Sequence, residues 1–395
     1  MEHHISQRVR AITPSATVAM DTKTKALIQQ GKPVINMSVG EPDFQPPEAA
    51  SLAGIKAIVT GLTKYTAVAG MMELRKAIAR KLQVENGLAY TPEQIIVSSG
   101  AKQSLYNIFL TICEPGDEVI LPAPYWVSYP EQIRLAGAVP VIIPTDESSG
   151  FKVTPEQLRQ AITSKTRAFL LNSPSNPTGA VYNEEELRAI GQVLRDHDLY
   201  IVTDEIYEKL VYGVAHVSLP AVCPDLMERT LVVNGFSKAF AMTGYRLGYV
   251  AGPREIIQAM TSLQSHSSHS PSTITQVAGI AALDAFNPAV VAEFRRRRDA
   301  LIAGLREIPG IACTVPEGAF YAFPNVARLF GKAYEGVVID SAAKFSELLL
   351  EHELVATVPG ESFGAPNNVR LSYATAYEDV VAAVERIQRF VRALR

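Results

Sequence analysis

Short runs rich in β-branched residues recur through the middle of the chain: IIVS at 95–98, EVIL at 118–121, VPVII at 139–143, RAFLLN at 167–172, LYIVT at 199–203, TLVVN at 230–234 and LGYVAG at 247–252. Each has the length and composition of a buried strand. Between them lie longer stretches with helical spacing, such as NEEELRAIGQVLRDHD at 183–198. Apolar strands alternating with amphipathic helices predict a mostly parallel sheet covered on both faces, because parallel neighbours need crossover connections. The pattern thus predicts an α/β domain over 49–295, built on a mixed, mostly parallel seven-stranded sheet. After residue 295 it changes to a basic helical run at 294–305, strand-like GAFYAF at 318–323, a helix over 341–352, strand-like VRLSYA at 369–374 and a terminal amphipathic helix. That reads as a smaller α+β unit over 296–395. Residues 1–48 carry Pro14, Pro33, Pro42, Pro46 and Pro47, cannot be helical throughout, and are expected to form an arm and connector joined to the smaller unit.

Composition narrows the function. A chain of 395 residues with 47% apolar and 19% charged side chains has enough apolar surface to fold along its whole length. A net charge of −3 gives no basic field for nucleic acid or an anionic membrane surface. Cys113, Cys223 and Cys313 are widely spaced and suit neither a disulfide framework nor a zinc set, so they are expected as reduced core thiols. The N-terminal stretch MEHHISQRVRAIT does not read as a signal peptide, and no apolar run reaches the roughly 18 residues needed to span a bilayer, so a cytoplasmic location is expected.

In open α/β sheets ligands bind beyond the carboxyl ends of the strands, where this sequence places its polar residues. Strand 95–98 leads to Gly100, Ala101 and Lys102 at a helix start, where free N–H groups can approach an anion, although most such glycines serve only a turn. Strand 199–203 delivers Asp204, Glu205, Ile206 and Tyr207; in isolation Asp204 would be read as a helix N-cap. Strand 167–172 ends in Asn172 and the loop SPSNPTG, whose prolines and glycine a rigid turn explains but whose Asn176 it does not. After strand 230–234, GFSKAFAMTGYRLGY sets Lys238 and Arg246 among small, apolar and aromatic residues. An exposed loop is the ordinary place for such a lysine. Burial beside a second cation would instead depress its pKa and produce the neutral amine that attacks an aldehyde.

The ordered set SVGEPDF (38–44), KYT with Gly70 (64–70), SGAKQ (99–103), PYWVSYPE (124–131), NSPSNPTG (172–179), TDEIY (203–207), SKAFAMTGYRLGY (237–249) and VRLSYA (369–374) resembles the class I aminotransferases of fold type I, in particular the bacterial aspartate and prephenate branch. The likeness covers essentially the whole chain. It implies pyridoxal 5'-phosphate as cofactor, held by Lys238 as a Schiff base. Asp204 would face the pyridine nitrogen, Tyr207 and Asn176 the phenolic oxygen, and Trp126 the ring face. The phosphate would lie at Gly100, Ala101, Lys102, Ser237 and Arg246, with Tyr65 reaching in from the second subunit of a homodimer. The substrate α-carboxylate would meet Arg370, with Asn176, Trp126 and Gly40 beside it, and a second carboxylate would meet Lys102, Ser15 and Thr17.

Departures from the family pattern bear on the substrate. Tyr245 stands where relatives have tryptophan and Gly235 where many have serine, neither touching the chemistry directly. The stretch HSSHSPSTITQ (266–276) holds no arginine for a distal carboxylate, and Thr13 replaces a lysine common just before the Pro-Ser-Ala-Thr run. Loss of one charge-assisted hydrogen bond, roughly 1.5–3 kcal/mol, costs one to two decades of selectivity. The expected substrates are aspartate and 2-oxoglutarate in a ping-pong exchange, with prephenate or aromatic amino acids as the alternative. The same fold also hosts carbon–sulfur lyases, aminocyclopropane-type synthases and ligand sensors behind a DNA-binding helix-turn-helix, the last poorly served by the short, weakly basic N-terminal region.

Overall fold

The computed structural model describes residues 5–14 and 16–395. Its central sheet uses all of the predicted runs: β1 (Ile95–Ser98), β2 (Glu118–Ala123), β3 (Val139–Pro144), β4 (Thr166–Asn172), β5 (Tyr200–Asp204), β6 (Thr230–Gly235) and β7 (Gly248–Ala251). The order across the sheet is β1-β7-β6-β5-β4-β2-β3. β7 runs antiparallel to both of its neighbours and the remaining pairs are parallel. Val232, Val233, Val202 and Phe169 are among its fully buried residues, as strands covered on both faces must be.

The covering helices form where the spacing predicts them, with local signals fixing their ends. In the helix Glu184–Arg195, Asn183 accepts from the Glu186 N–H while the Glu186 carboxylate accepts from the Asn183 N–H, a reciprocal cap. Its Leu187, Ile190, Val193 and Leu194 pack in one core with Phe169 and Ile201 of the sheet.

A second core gathers both ends of the chain. Ile35 and Met37 pack with Phe294, Leu301, Phe320, Phe345, Leu371 and Phe390, and strand Ile35–Asn36 runs parallel to Val355–Ala356. Here lies a three-stranded antiparallel sheet with Val369–Ser372 between Val358–Pro359 and Tyr321–Ala322. The expected boundary at residue 295 falls inside the helix Ala289–Arg306, whose Phe294 and Leu305 belong to this core. Ile206, Tyr207, Leu210 and Tyr212, which follow β5, belong to it too, so the end of β5 is where the two halves meet. The N-terminal region is more helical than an arm and connector: Gln7–Arg10 and Ala16–Gln29 are helices. Among the described residues no helix is long and apolar enough to cross a membrane, and Cys113, Cys223 and Cys313 are free and buried.

Candidate active site

The carboxyl ends of β4, β5 and β6 and the helix that follows β1 open on a cavity of about 370 Å³, closed on its far side by Tyr321 and Arg370. Among the described residues Lys102, Lys238, Arg246 and Arg370 line it against Glu41 and Asp204 alone. A chain of net charge −3 thus holds a local excess of positive charge here, which suits a ligand carrying more than one anionic group.

Lys238 keeps one face open to the cavity and donates to the Gly40 carbonyl. Its ammonium stands 5.8 Å from the ring centres of Tyr207 and Phe320. Burial pushes its pKa down to about 8, and Arg370 and Arg246 add to the fall against the pull of Glu41 and Asp204. A sizeable neutral fraction near neutral pH makes this amine a nucleophile for an aldehyde.

Asp204 is 3% exposed. No helix follows it, so it is not an N-cap; its Oδ1 accepts from the Ile206 N–H at 3.2 Å and its Oδ2 from the Tyr129 hydroxyl at 2.7 Å. Burial raises its pKa to about 6 even though both donors oppose the rise. Such a carboxylate gains most from a cationic N–H partner on its open side.

Arg370 is 2% exposed and has no carboxylate partner among the described residues. Its Nη2 donates to the Ser38 carbonyl at 2.7 Å, its Nη1 to Asn176 Oδ1 at 3.1 Å, and its Nε has no acceptor. The guanidinium lies 4.5 Å from the Tyr321 ring centre and 5.0 Å from that of Phe363. Burial lowers its pKa, while Tyr321 and Tyr207 act the other way. Leaving a buried cation unpaired is expensive, so the natural complement is a carboxylate in the cavity.

Across the cavity Gly100 caps the helix Ala101–Ile112 at φ +87°, and a side chain added there would collide with Arg246 Nη2. Arg246 donates to the Thr243 and Ser99 carbonyls at 2.8 and 3.4 Å and pairs with no acidic side chain among the described residues, leaving its charge for a ligand at the helix start. Ala101 and Lys102 thus form the first helical turn rather than preceding it. Lys102 is exposed, its ammonium 4.9 Å from the Trp126 ring centre; partial burial, then Arg246, lowers its pKa. Trp126 stands edge-on to Tyr129 at 5.3 Å and turns its remaining surface to the cavity.

The cavity brings together Thr17, Gly40, Ala101, Lys102, Trp126, Asn176, Asp204, Tyr207, Ser237, Lys238, Arg246 and Arg370 of the expected residues. Gly100 sits one residue behind its wall. Tyr65 does not line it: the residue is 90% exposed, with its ring 5.0 Å from that of His269. Ser15 lies outside the described residues. The sequence reading did not single out Tyr129, which holds Asp204, or Tyr321, whose hydroxyl is 2.9 Å from that of Tyr207. Both occur within quoted motifs or strands, and only the fold shows whom they meet.

Fold and cavity together place a lysine amine of lowered pKa in a cationic cavity suited to small anionic ligands. The chain belongs to the class I and II aminotransferase family, whose model matches residues 32–387. It is 48% identical over 98% of its length to an aspartate aminotransferase of Geobacillus stearothermophilus, covering 99% of that protein. It is 46% identical to an aspartate/prephenate aminotransferase of Cereibacter sphaeroides, covering 99% of each chain. The crystal structure of an aspartate aminotransferase from Rhizobium meliloti superposes with a TM-score of 0.96 at 44% identity over 100% of both chains.

Proposed function

We propose that this aminotransferase works with pyridoxal 5'-phosphate and exchanges an amino group between aspartate and 2-oxoglutarate by a ping-pong mechanism, in a homodimer. The carrying observation is the opposition, in one cavity, of a lysine with a pKa near 8 to a buried guanidinium without a counter-ion. Lys238 would hold the cofactor through its amine, and the same amine would take the proton from the substrate Cα. Asp204 would hold the proton on the ring nitrogen, and Tyr207 and Asn176 would hydrogen-bond the ring oxygen. The ring supplies an electron sink for the charge left at Cα. The phosphate would be held by the Gly100 and Ala101 N–H groups, Lys102, Ser237 and Arg246, with the partner's Tyr65 completing the set. Arg370 clamps the α-carboxylate, helped by Asn176, Trp126 and Gly40. Lys102 and Thr17, both at the cavity, would meet the second carboxylate.

A larger substrate such as prephenate is the second reading, favoured by a cavity of about 810 Å³ that shares Lys102, Val127, Ser128 and Arg246 with the first and reaches Thr13. The experiment is a pair of half-reactions on protein loaded with pyridoxal phosphate. Aspartate should bleach the long-wavelength absorption and 2-oxoglutarate should restore it. Failure of both steps, with borohydride leaving no adduct at Lys238, refutes the cofactor assignment; neutral or aromatic amino acids outperforming aspartate tenfold in kcat/KM refute the substrate.

A further inference from the structure

Two phenols lie in line at the end of β5, and their protons have to be shared. Tyr207 is 3% exposed and Tyr321 is 1% exposed, and their hydroxyl oxygens are 2.9 Å apart. Either one can donate to the other. When Tyr207 donates to Tyr321, its only proton points away from the cavity and the cavity sees a lone pair. When Tyr321 donates to Tyr207, the Tyr207 proton is free to enter the cavity. Each hydroxyl carries one proton, so an anionic oxygen in the cavity that takes the Tyr207 proton leaves Tyr321 as the donor behind it.

We infer that Tyr321 is a positioning residue for this reaction: its hydroxyl donates to Tyr207 and so holds the Tyr207 O–H toward the ring oxygen of the cofactor. The inference rests on the proposed pyridoxal phosphate site. Three observations fix the Tyr321 hydroxyl in place. Its ring stacks under the Arg370 guanidinium at 4.5 Å, packs edge-on to Tyr207 at 5.9 Å, and its oxygen closes on Gly40 so nearly that a side chain there would meet it at 2.6 Å. Tyr321 is the one side-chain partner of the Tyr207 hydroxyl among the described residues, so removing its hydroxyl leaves Tyr207 without a protein donor. The charged groups facing this pair are Arg370 from the strand Val369–Ser372 and Asp204 from β5, with the Lys238 ammonium 5.8 Å from the Tyr207 ring centre. All of them stay in place when Tyr321 becomes phenylalanine.

The sign of the effect follows from charge. The colour of the loaded protein changes with pH when the nitrogen contributed by Lys238 loses its proton, which leaves the adjacent ring oxygen with an uncompensated negative charge. A donor to that oxygen stabilises the deprotonated form and lowers the midpoint; weakening the donor raises it. The test titrates the visible absorption of wild-type, Tyr321→Phe, Tyr207→Phe and doubly substituted protein, each loaded with pyridoxal phosphate, and measures maleate binding to each. The Tyr321→Phe midpoint should rise by about 0.5–1 pH unit. The Tyr207→Phe midpoint should rise further, and the double variant should match Tyr207→Phe, because Tyr321 acts only through Tyr207. Maleate affinity of Tyr321→Phe should stay within about twofold of wild type, since the stacked ring under Arg370 remains. A Tyr321→Phe shift that persists in full on the Tyr207→Phe background overturns the inference, as does an unmoved midpoint with weakened maleate binding. Should Tyr321→Phe not fold, Gly40→Ala displaces the same hydroxyl and should also raise the midpoint; no rise there overturns it equally. A wild-type protein that takes up no colour removes the cofactor reading itself before any variant is compared.

Discussion

At the scale of single residues, the candidate site holds Lys238 and Arg370 away from water with no carboxylate bonded to either among the described residues. Lys238, pushed to about 8 from an ordinary 10.5, is neutral in about one molecule in ten at pH 7. Cofactor capture by the cofactor-free protein should therefore quicken about tenfold per pH unit up to about 8 and level off above it, which stopped-flow absorbance would follow; a rate still climbing at pH 10 would mean an ordinary lysine. Arg370 makes the same trade at larger cost. A buried guanidinium with an orphaned Nε and no counter-ion is poor for stability and good for binding a carboxylate. Arg370→Met should raise KM for both amino donor and oxo acid by about ten- to a hundredfold. The cofactor-free variant should melt no lower than wild type. A melting point several degrees lower by calorimetry would make Arg370 a structural residue instead.

At the scale of elements, an ion pair ties the helix Met72–Asn86 to the turn after β5. Lys81 and Glu208, with side chains 5% and 8% exposed, bond each other, and Asn86 donates to the second Glu208 oxygen at 2.8 Å. Burial alone would raise the Glu208 pKa, but Lys81 and His216 outweigh it and hold the carboxyl at about 2 against an ordinary 4.5. A depressed carboxylate contributes stability above its unfolded pKa and loses it as pH falls through 4.5 toward 2; the contribution is on the order of 3 kcal/mol. Asp204 shifts the other way, so the clean measurement is a difference. Glu208→Gln should lower stability by about 3–5 kcal/mol at pH 7, and the gap to wild type should narrow steadily in urea melts from pH 5 to pH 3. A second element-scale prediction concerns the helix start at Gly100. Gly100→Ala forces a side chain against Arg246 at φ +87° and should weaken pyridoxal phosphate binding more than tenfold by fluorescence titration, because strain and a displaced cation act on the same anion site. The sheet was legible because seven apolar runs are local signals, each strand ending within two residues of its expected limit. Lys238, Asp204 and Arg370 were legible through ordered motifs. Tyr129 and Tyr321 were not, because Tyr129 meets Asp204 75 residues away and Tyr321 meets Tyr207 114 residues away. Pairings at that separation exist only after the sheet has formed. The helix Ala16–Gln29 was hidden among prolines and a weak apolar face.

At the scale of the molecule, the helix Glu48–Val59 carries two apolar faces and the chain covers only one. Ala50, Gly54 and Ala57 are buried, and Gly54 lies against Ile274 and Ala278 of the helix Thr273–Leu283. The other face shows Leu52, Ile55 and Ile58 at 57% exposure each and Val59 at 80%, and the chain continues through Leu62 at 45% to Tyr65 at 90%. A run of large apolar side chains at helical spacing is costly in water and marks an association surface. Its continuity with Tyr65 says what covers it: under the proposed twofold dimer, the same packing that buries Ile55 and Ile58 delivers Tyr65 to the other subunit's phosphate site. Ile58→Glu places a charge in the middle of that surface at a position already 57% exposed, so it should leave far-ultraviolet circular dichroism unchanged. It should shift micromolar protein from dimer toward monomer in sedimentation velocity and weaken pyridoxal phosphate binding together with dissociation. Tyr65→Phe should weaken cofactor binding without dissociating the dimer. A wild-type protein that sediments as a monomer while retaining full activity would separate the catalytic cavity from any partner and leave the apolar stripe to another use.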